Sequence, residues 1–525
     1  MALAAAQGCL LILACSVRPE LVEGQTLLRA GAAHADDDLR LVDAVQKKDM
    51  ATARSLLKRI PLGRPGAAAA SGPPRERVDV NAAQKDGATA LHWAAHWDDV
   101  EIAELLLQAG AHVNAANDYG VTALALACSN RNSVLVEKLL EAQAHPNTAR
   151  TTGVTPLMEC ARTGSVAAVR TLLARGASVH ATHTRTGQTA LMWAAAGKHA
   201  DVVKLLVEHG APVRARSKAG FTPLMFTAQS GDMDSARMLL EAGADVNEAT
   251  PQHGSALVVA SASGHEALAM LLLDKGGDPN AVDEHGITAL HNAAQRGLTS
   301  LIGVRYDDSY RVQPPNMPEL GKALLARGVN VNARIAANDT RGPDGTPFAM
   351  KGATPYFLAA VAGDSSLMRL LGRSDADSRL TAAGGITPLM AAARSACTGS
   401  CEFRGANAEV DEAAAQAALE AVKVALELGA DVNAANEDGQ TAMHMAAFTG
   451  AGRVVQFLAD NGAAVDVPDR HGETPWSMAA GLSPVLRYRG LYGAHESTAK
   501  LLLTLGAQPV TQEELDARAT AASAR

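Results

Sequence analysis

The sequence predicts an all-α solenoid, a stack of helix-turn-helix units joined by β-hairpin loops. Three observations lead there. A threonine-led anchor returns at steps of about 33 residues, a Gly-Ala step closes most intervals, and the apolar content is carried by Ala and Leu with few aromatics.

The anchor stands at Thr89, Thr122, Thr155, Thr189, Thr222, Ser255, Thr288, Thr354, Thr387, Thr441 and Thr474, with successive steps of 33, 33, 34, 33, 33, 33, 66, 33, 54 and 33. Within a unit, Thr89 is placed to cap a first helix through its side-chain oxygen. Ala94 and Ala95 let neighbouring helices approach closely, and Leu105 to Leu107 form the apolar stripe of a second helix. Gly110 then supplies the positive φ that ends that helix. One helix pair cannot bury both of its faces, so neighbouring units must stack.

At 525 residues the chain exceeds the roughly 250–300 residues at which a single hydrophobic core stops growing, a limit that stacked repeats avoid. Apolar residues make up 47%, charged residues 19% and aromatics only 3%, which favours close-packed helices over a sandwich or barrel. A net charge of −8 argues against a sequence-independent grip on nucleic acid, which needs a cationic surface. No apolar run reaches the roughly 18 residues of a membrane-spanning helix, so no membrane span is expected and the body of the chain is expected to be soluble.

Thr89-Ala-Leu-His92, Thr155-Pro-Leu-Met158, Thr222-Pro-Leu-Met225, Thr288-Ala-Leu-His291, Thr387-Pro-Leu-Met390 and Thr441-Ala-Met-His444 resemble the Thr-Pro-Leu-His motif of the ankyrin-repeat family, whose units run 33 residues as a β-turn plus two helices. The resemblance covers Asp38 to Val510 and looks like a bacterial, exported, multi-repeat member. It implies a solenoid over 36–510 of about twelve units, with Asp38 to Arg59 as an N-terminal cap and 511–525 as a C-terminal tail. It also implies binding along a concave face made by hairpin tips and the exposed ends of first helices. Carried over residue by residue, that face includes His96, Trp97, Asp118, Tyr119, Asn130, Arg162, Arg296 and Phe448. Trp97, Tyr119 and Phe448 are large apolar groups at positions expected to be exposed, with packing of Trp97 on the cap as the alternative.

The array is interrupted near 61–77, 298–318, 335–352, 397–412 and 481–494. Regular units separate anchor and closing glycine by 21 residues, as from Thr89 to Gly110, whereas Thr288 to Gly328, Thr387 to Gly429 and Thr474 to Gly506 span 40, 42 and 32. These three insertions fall between first and second helices, which puts them on one edge. They carry Tyr306, Tyr310, Phe403, Arg404, Arg487, Tyr488 and Tyr492, and Tyr and Arg are the side chains enriched at binding hot spots. Anchoring of the loops onto the scaffold is the competing reading. Between Gly328 and Thr354 the hairpin is lengthened as well, by a Gly, Pro and Asp-rich segment suited to a solvated loop.

Little in the sequence carries catalytic chemistry. His92 and His96 have the i, i+4 spacing of zinc proteases, but Trp93 stands where the general base would be. No phosphate-cradling loop, dinucleotide fingerprint or nucleophile elbow appears, so neither an enzyme nor a cofactor nor a metal site is expected. Cys128 and Cys160 occupy small-residue positions of first helices and are read as buried structural thiols. Cys397 and Cys401 could form a local disulfide if the chain is exported.

Export rests on the N-terminal stretch, where Cys9 to Cys15 resembles the apolar core of a signal. Ala33-His34-Ala35 offers a peptidase site, so that 1–35 would be removed, whereas Ile12 to Cys15 resembles a lipoprotein box with a lipid anchor at Cys15. A disordered tail and a cytoplasmic location are the competing reading, because no Lys or Arg precedes the apolar core. The function expected is a monomeric protein-binding scaffold of the periplasm or exterior. A secreted effector or inhibitor is the alternative, and an enzyme with chemistry in its insertions is the third.

Overall fold

The computed structural model describes residues 38–60, 78–294, 317–336, 351–395, 412–482 and 494–523. The chain divides into two compact units, Met1–Asp245 and Val246–Arg525. Both repeat one local plan.

The first unit contains six helix pairs among its described residues. They are α1 (Arg40–Gln46) with α2 (Met50–Leu57), α3 (Ala90–His96) with α4 (Val100–Gln108), α5 (Ala123–Ser129) with α6 (Ser133–Glu141), α7 (Pro156–Thr163) with α8 (Val166–Ala174), α9 (Ala190–Ala196) with α10 (Ala200–Glu208), and α11 (Pro223–Ser230) with α12 (Met233–Glu241). First helices pack on first helices of adjoining pairs, and second helices on second helices. The α3/α4 pair illustrates why. Leu91, Ala94, Ala95, Ile102, Ala103 and Leu106 are all fully buried, the alanines at the close approach and the larger groups filling the layer between pairs. Each fully buried Leu or Ile contributes roughly 1.5–3 kcal/mol.

The predicted caps form. The Oγ1 of Thr122 accepts from the Ala125 N–H at 3.2 Å, that of Thr155 from Met158 at 3.3 Å, and that of Thr222 from Met225 at 3.3 Å. Second helices use acidic or amide caps, with Asp99 accepting from Ile102 at 2.9 Å and Asn132 from Leu135 at 2.8 Å. Gly110 takes φ +89°, as its place after the second helix requires.

Between pairs, an asparagine bridges one hairpin to the next. The Asn147 amide donates to the Gly176 carbonyl at 2.9 Å, and its Oδ1 accepts from the Ser178 N–H at 2.7 Å. Asn81 and Asn114 make the same two bonds. At the next positions of the row the residues are His180 and Arg214, and Arg214 Nε reaches the Gly243 carbonyl at 2.8 Å.

The second unit opens on a short antiparallel hairpin, β1 (Ala249–Thr250) with β2 (Gly254–Ser255). Its pairs are α13 (Ala256–Ala262) with α14 (Glu266–Asp274), α15 (Ala289–Ala294) with α16 (Pro318–Ala326), α17 (Pro355–Val361) with α18 (Ser365–Gly372), α19 (Pro388–Arg394) with α20 (Glu412–Glu427), α21 (Ala442–Phe448) with α22 (Gly452–Asp460), and α23 (Pro475–Ala479) with α24 (Glu496–Thr504). The lengthened hairpin keeps a closed stem, since Ile335 N–H donates to Ala353 O at 3.0 Å and Gly352 N–H to Ile335 O at 2.8 Å. The greater part of every predicted insertion lies outside the described residues.

Two features differ from expectation. The span read as a C-terminal tail carries α25 (Gln512–Ser523), started by a capping box in which Thr511 N–H donates to Glu514 at 2.8 Å and the Glu514 N–H returns to Thr511 Oγ1 at 3.3 Å. Leu515 of that helix is fully buried, and the Arg518 side chain lies against Gly472 in the hairpin that leads into α23. Cys128 and Cys160, read as free thiols, are instead bonded to each other between α5 and α7. Stacking at the repeat spacing brings their Cα atoms to 4.7 Å, within the range a disulfide spans.

Candidate functional site

Hairpin tips and the inner residues of first helices build one wall in each unit. In the first unit the tips are tied in series, with Asp118 N–H donating to Asp86 O at 2.9 Å, Thr151 to Tyr119 at 3.0 Å, Thr184 to Thr152 at 3.0 Å and Lys218 to Thr186 at 2.8 Å. The second unit does the same, with Ala336 bonded to His285, Ala383 to Lys351, Glu437 to Gly384 and Arg470 to Asp438. This ladder holds each tip at a set height against its neighbour.

The motif histidines seat the hairpins. His92 accepts at Nδ1 from the Thr89 N–H at 3.2 Å and donates from Nε2 to Val121 O at 2.8 Å, in the hairpin of the following repeat. His291 and His444 repeat the arrangement with Ala333 O and Glu473 O. Burial depresses all three, His291 to about 4, and they serve as neutral struts.

A second tie runs from the start of a second helix to the preceding repeat. His199 donates from Nε2 to Arg162 O at 2.9 Å, and its ring lies against Gly164. A Cβ at Gly164, where φ is +74°, would meet His199 Nδ1 at 2.5 Å, so both backbone and packing demand glycine there. Asn130 performs the equivalent task, its amide donating to Ala95 O and His96 O at 3.0 Å.

Of the candidate residues, Tyr119 lies at a hairpin tip and is 66% exposed, with exposed Asp118 beside it. His96 is exposed and packs edge-on to Trp97, with ring centroids 4.5 Å apart. Trp97 takes the second of its two expected places, packed on the N-terminal cap. It is half-buried, its Nε1 donates to Gln46 O at 3.2 Å, and Lys48 Nζ sits 3.9 Å from the ring, so the indole is engaged with the α1/α2 pair. Phe448 is half-buried too, with the Arg394 guanidinium 5.4 Å from its ring. Both lie at the end of a first helix, where the adjoining repeat covers one ring face. Arg296, Tyr306, Tyr310, Phe403, Arg404, Arg487, Tyr488, Tyr492, Cys397, Cys401 and Cys15 lie outside the described residues.

The sequence reading missed the residue four places after each anchor, which faces the hairpin from the first helix. Trp93 is half-buried and its Nε1 donates to Gln84 Oε1 at 2.9 Å; Trp193 is half-buried and donates to Gln188 Oε1 at 3.0 Å. Glu159 holds the same place and is nearly buried, receiving Arg162 Nη2 at 2.7 Å and Arg150 Nη2 at 3.2 Å. The signal was present as a fixed offset, since Thr89, Thr155 and Thr189 each lead these positions by four.

Among the described residues no three His, Cys, Asp or Glu side chains are grouped to hold a metal ion, and no helix is long and apolar enough to cross a membrane.

A family model described as ankyrin repeats (3 copies) matches residues 41–150, 115–183 and 157–250, and one described as ankyrin repeats (many copies) matches 257–302 and 410–459. Over 205 residues the chain is 31% identical to the Homo sapiens protein named Ankyrin repeat and SOCS box protein 16, which covers 38% of this chain. The chain spans 38% of that relative's length.

Proposed function

Because the chain belongs to the ankyrin-repeat family, whose repeats are typically non-enzymatic protein-interaction scaffolds, we propose that it holds a partner protein against the wall of hairpin tips and first helices. The observation that carries this reading is the pair Trp93 and Trp193. Each indole is pinned by a glutamine of its own hairpin and is left half-exposed. An aromatic ring already held in one orientation loses little entropy on binding, and Trp is among the residues most enriched at hot spots. Tyr119, His96, Asp118 and the outer edges of Trp97 and Phe448 extend the same wall within their own units. Arg296 belongs to the same wall in this proposal, the insertion tyrosines and arginines with Phe403 form a second surface, and the protein acts as a monomer.

Capture of interacting proteins from an extract of the native host, quantified for the wild type, for W93A/W193A and for Tyr306, Tyr310, Tyr488 and Tyr492 replaced by alanine, tests the assignment. Loss of a reproducible partner with W93A/W193A supports the wall. Full recovery with that variant and loss with the tyrosine variant moves binding to the insertion edge. Recovery of no partner by the wild type overturns the scaffold reading.

Export of the chain is part of the same proposal. The Cys128–Cys160 bond supports it, because disulfides persist in oxidising compartments and are rare in a reducing cytosol.

A further inference from the structure

Charge is distributed in blocks along the repeats. Residues 78–145 carry three Lys or Arg against nine Asp or Glu, a net of −6. Residues 146–231 carry ten Lys or Arg against three Asp or Glu, a net of +7 in a chain whose total is −8. Residues 232–294 return to two bases against ten acids, a net of −8. The basic block therefore stands between two acidic ones in the sequence, and it covers the α7/α8 and α9/α10 pairs, the hairpins on either side and the α11 helix, all in the first unit.

Its cations reach the binding wall. Arg185 and Lys218 are exposed on successive hairpin tips that are joined by the Lys218–Thr186 backbone bond, and Lys218 Nζ also donates to Thr184 O at 2.7 Å. Both charges act on His183, which burial foremost and then Arg185 and Lys218 hold below its ordinary pKa, and the His183 ring lies 6.2 Å from Trp193. At the base of the wall Arg150 and Arg162 share the single carboxylate of Glu159, which leaves that triad with a net positive charge. The Arg150 Nε is buried and has no hydrogen-bond partner among the described residues.

We propose that this face of residues 146–231 takes an acidic, extended polypeptide segment, with carboxylates on Arg185, Lys218 and the Arg150/Arg162 pair and an apolar side chain against Trp193. The inference rests on the protein-binding reading above and names the chemistry of its partner. A peptide fits better than nucleic acid, because a longer polyanion would run onto the block of −6 at 78–145 in the same unit, whereas a short acidic segment ends within the basic one. With helices packed at about 8–10 Å, three successive repeats span roughly 20–30 Å, the reach of about nine extended residues.

Fluorescence anisotropy with a labelled peptide of alternating Glu and Ala, roughly twelve residues long, is the direct test, with the Lys-Ala counterpart and an oligothymidylate of like length as comparisons. The Glu peptide is expected to bind, to weaken steeply as salt rises from about 50 to 300 mM, and to lose at least about tenfold in affinity on R185E/K218E. Both substituted side chains are exposed, and an unchanged melting curve by circular dichroism shows that the variant folds. Equal affinity of wild type and variant for the Glu peptide overturns the inference, as does tighter binding of the oligothymidylate. A change of sedimentation coefficient on R185E/K218E also overturns it, since the basic block would then serve contact between copies of the chain. Host proteins captured equally by wild type and R185E/K218E would sink the acidic-segment inference while leaving the scaffold reading intact. Failure of both proteins to capture any partner would instead strike at the scaffold reading.

Discussion

Cys128 and Cys160, 32 residues apart in the chain, are joined across consecutive first helices with their Cα atoms 4.7 Å apart. The bond closes one repeat onto the next at the layer where both side chains are fully buried. Closing a loop of that length stabilises by about 3–4 kcal/mol in the chain-entropy account. Reduction with dithiothreitol is therefore expected to lower the urea midpoint of the wild type. C128A/C160A should start lower and show no response to the reductant; a wild type indifferent to dithiothreitol would refute the bond.

The neutral histidine struts make stability depend on pH. His291 is held at about 4 by burial, against an ordinary value near 6.5, so the unfolded chain binds the proton first as pH falls. Stability is complete above roughly pH 6.5 and is lost on acidification, by about 2 kcal/mol at pH 5 and about 3 below pH 4 for this one residue. Protonation would put a hydrogen on Nδ1, which faces the Thr288 N–H. Urea titrations at pH 7.5 and 5, for wild type and H291Q, measure the effect; an equal pH dependence in both would refute it.

Glu159 neutralises two guanidiniums while itself only 6% exposed. E159Q leaves both arginines facing a neutral amide. A destabilisation of about 1–3 kcal/mol is expected, below the figure for a fully buried pair because Arg150 and Arg162 keep 26% and 35% exposure. Denaturant melts of E159Q and R150Q/E159Q check it, the double variant recovering part of the loss.

The asparagine row lapses at His180 and Arg214. H180N is expected to restore the two bonds that Asn147 makes and to stabilise by about 0.5–1 kcal/mol, whereas N147A should cost about 1 kcal/mol. A urea midpoint for H180N at or below that of the wild type would show that the row is not limited by this side chain.

Much of the architecture was legible because its signals are local. Thr122 and Thr155 cap helices whose first residues lie beside them in the chain, and Gly110 ends a helix through its own φ. The α25 helix escaped notice because no 33-residue anchor precedes it, although the Thr511 to Glu514 capping box was there to be read. The candidate site was less legible. Tyr119 was found as an exposed tip and the cap was one of two places open to Trp97, where Gln46 receives its indole, but Phe448 was expected on the surface and is half-covered by Arg394, 54 positions away in the chain.

By itself the sequence determined the repeat, its period, the caps and glycines that punctuate it, and membership in a family of binding scaffolds. Each of these follows from side chains acting on backbone within a few residues. Only the tertiary structure decided that Cys128 meets Cys160, that Glu159 lies between Arg150 and Arg162, and which indoles are pinned by their hairpins. Those outcomes turn on distances of a few ångströms between stacked repeats, where packing selects the contact and spacing in the chain does not.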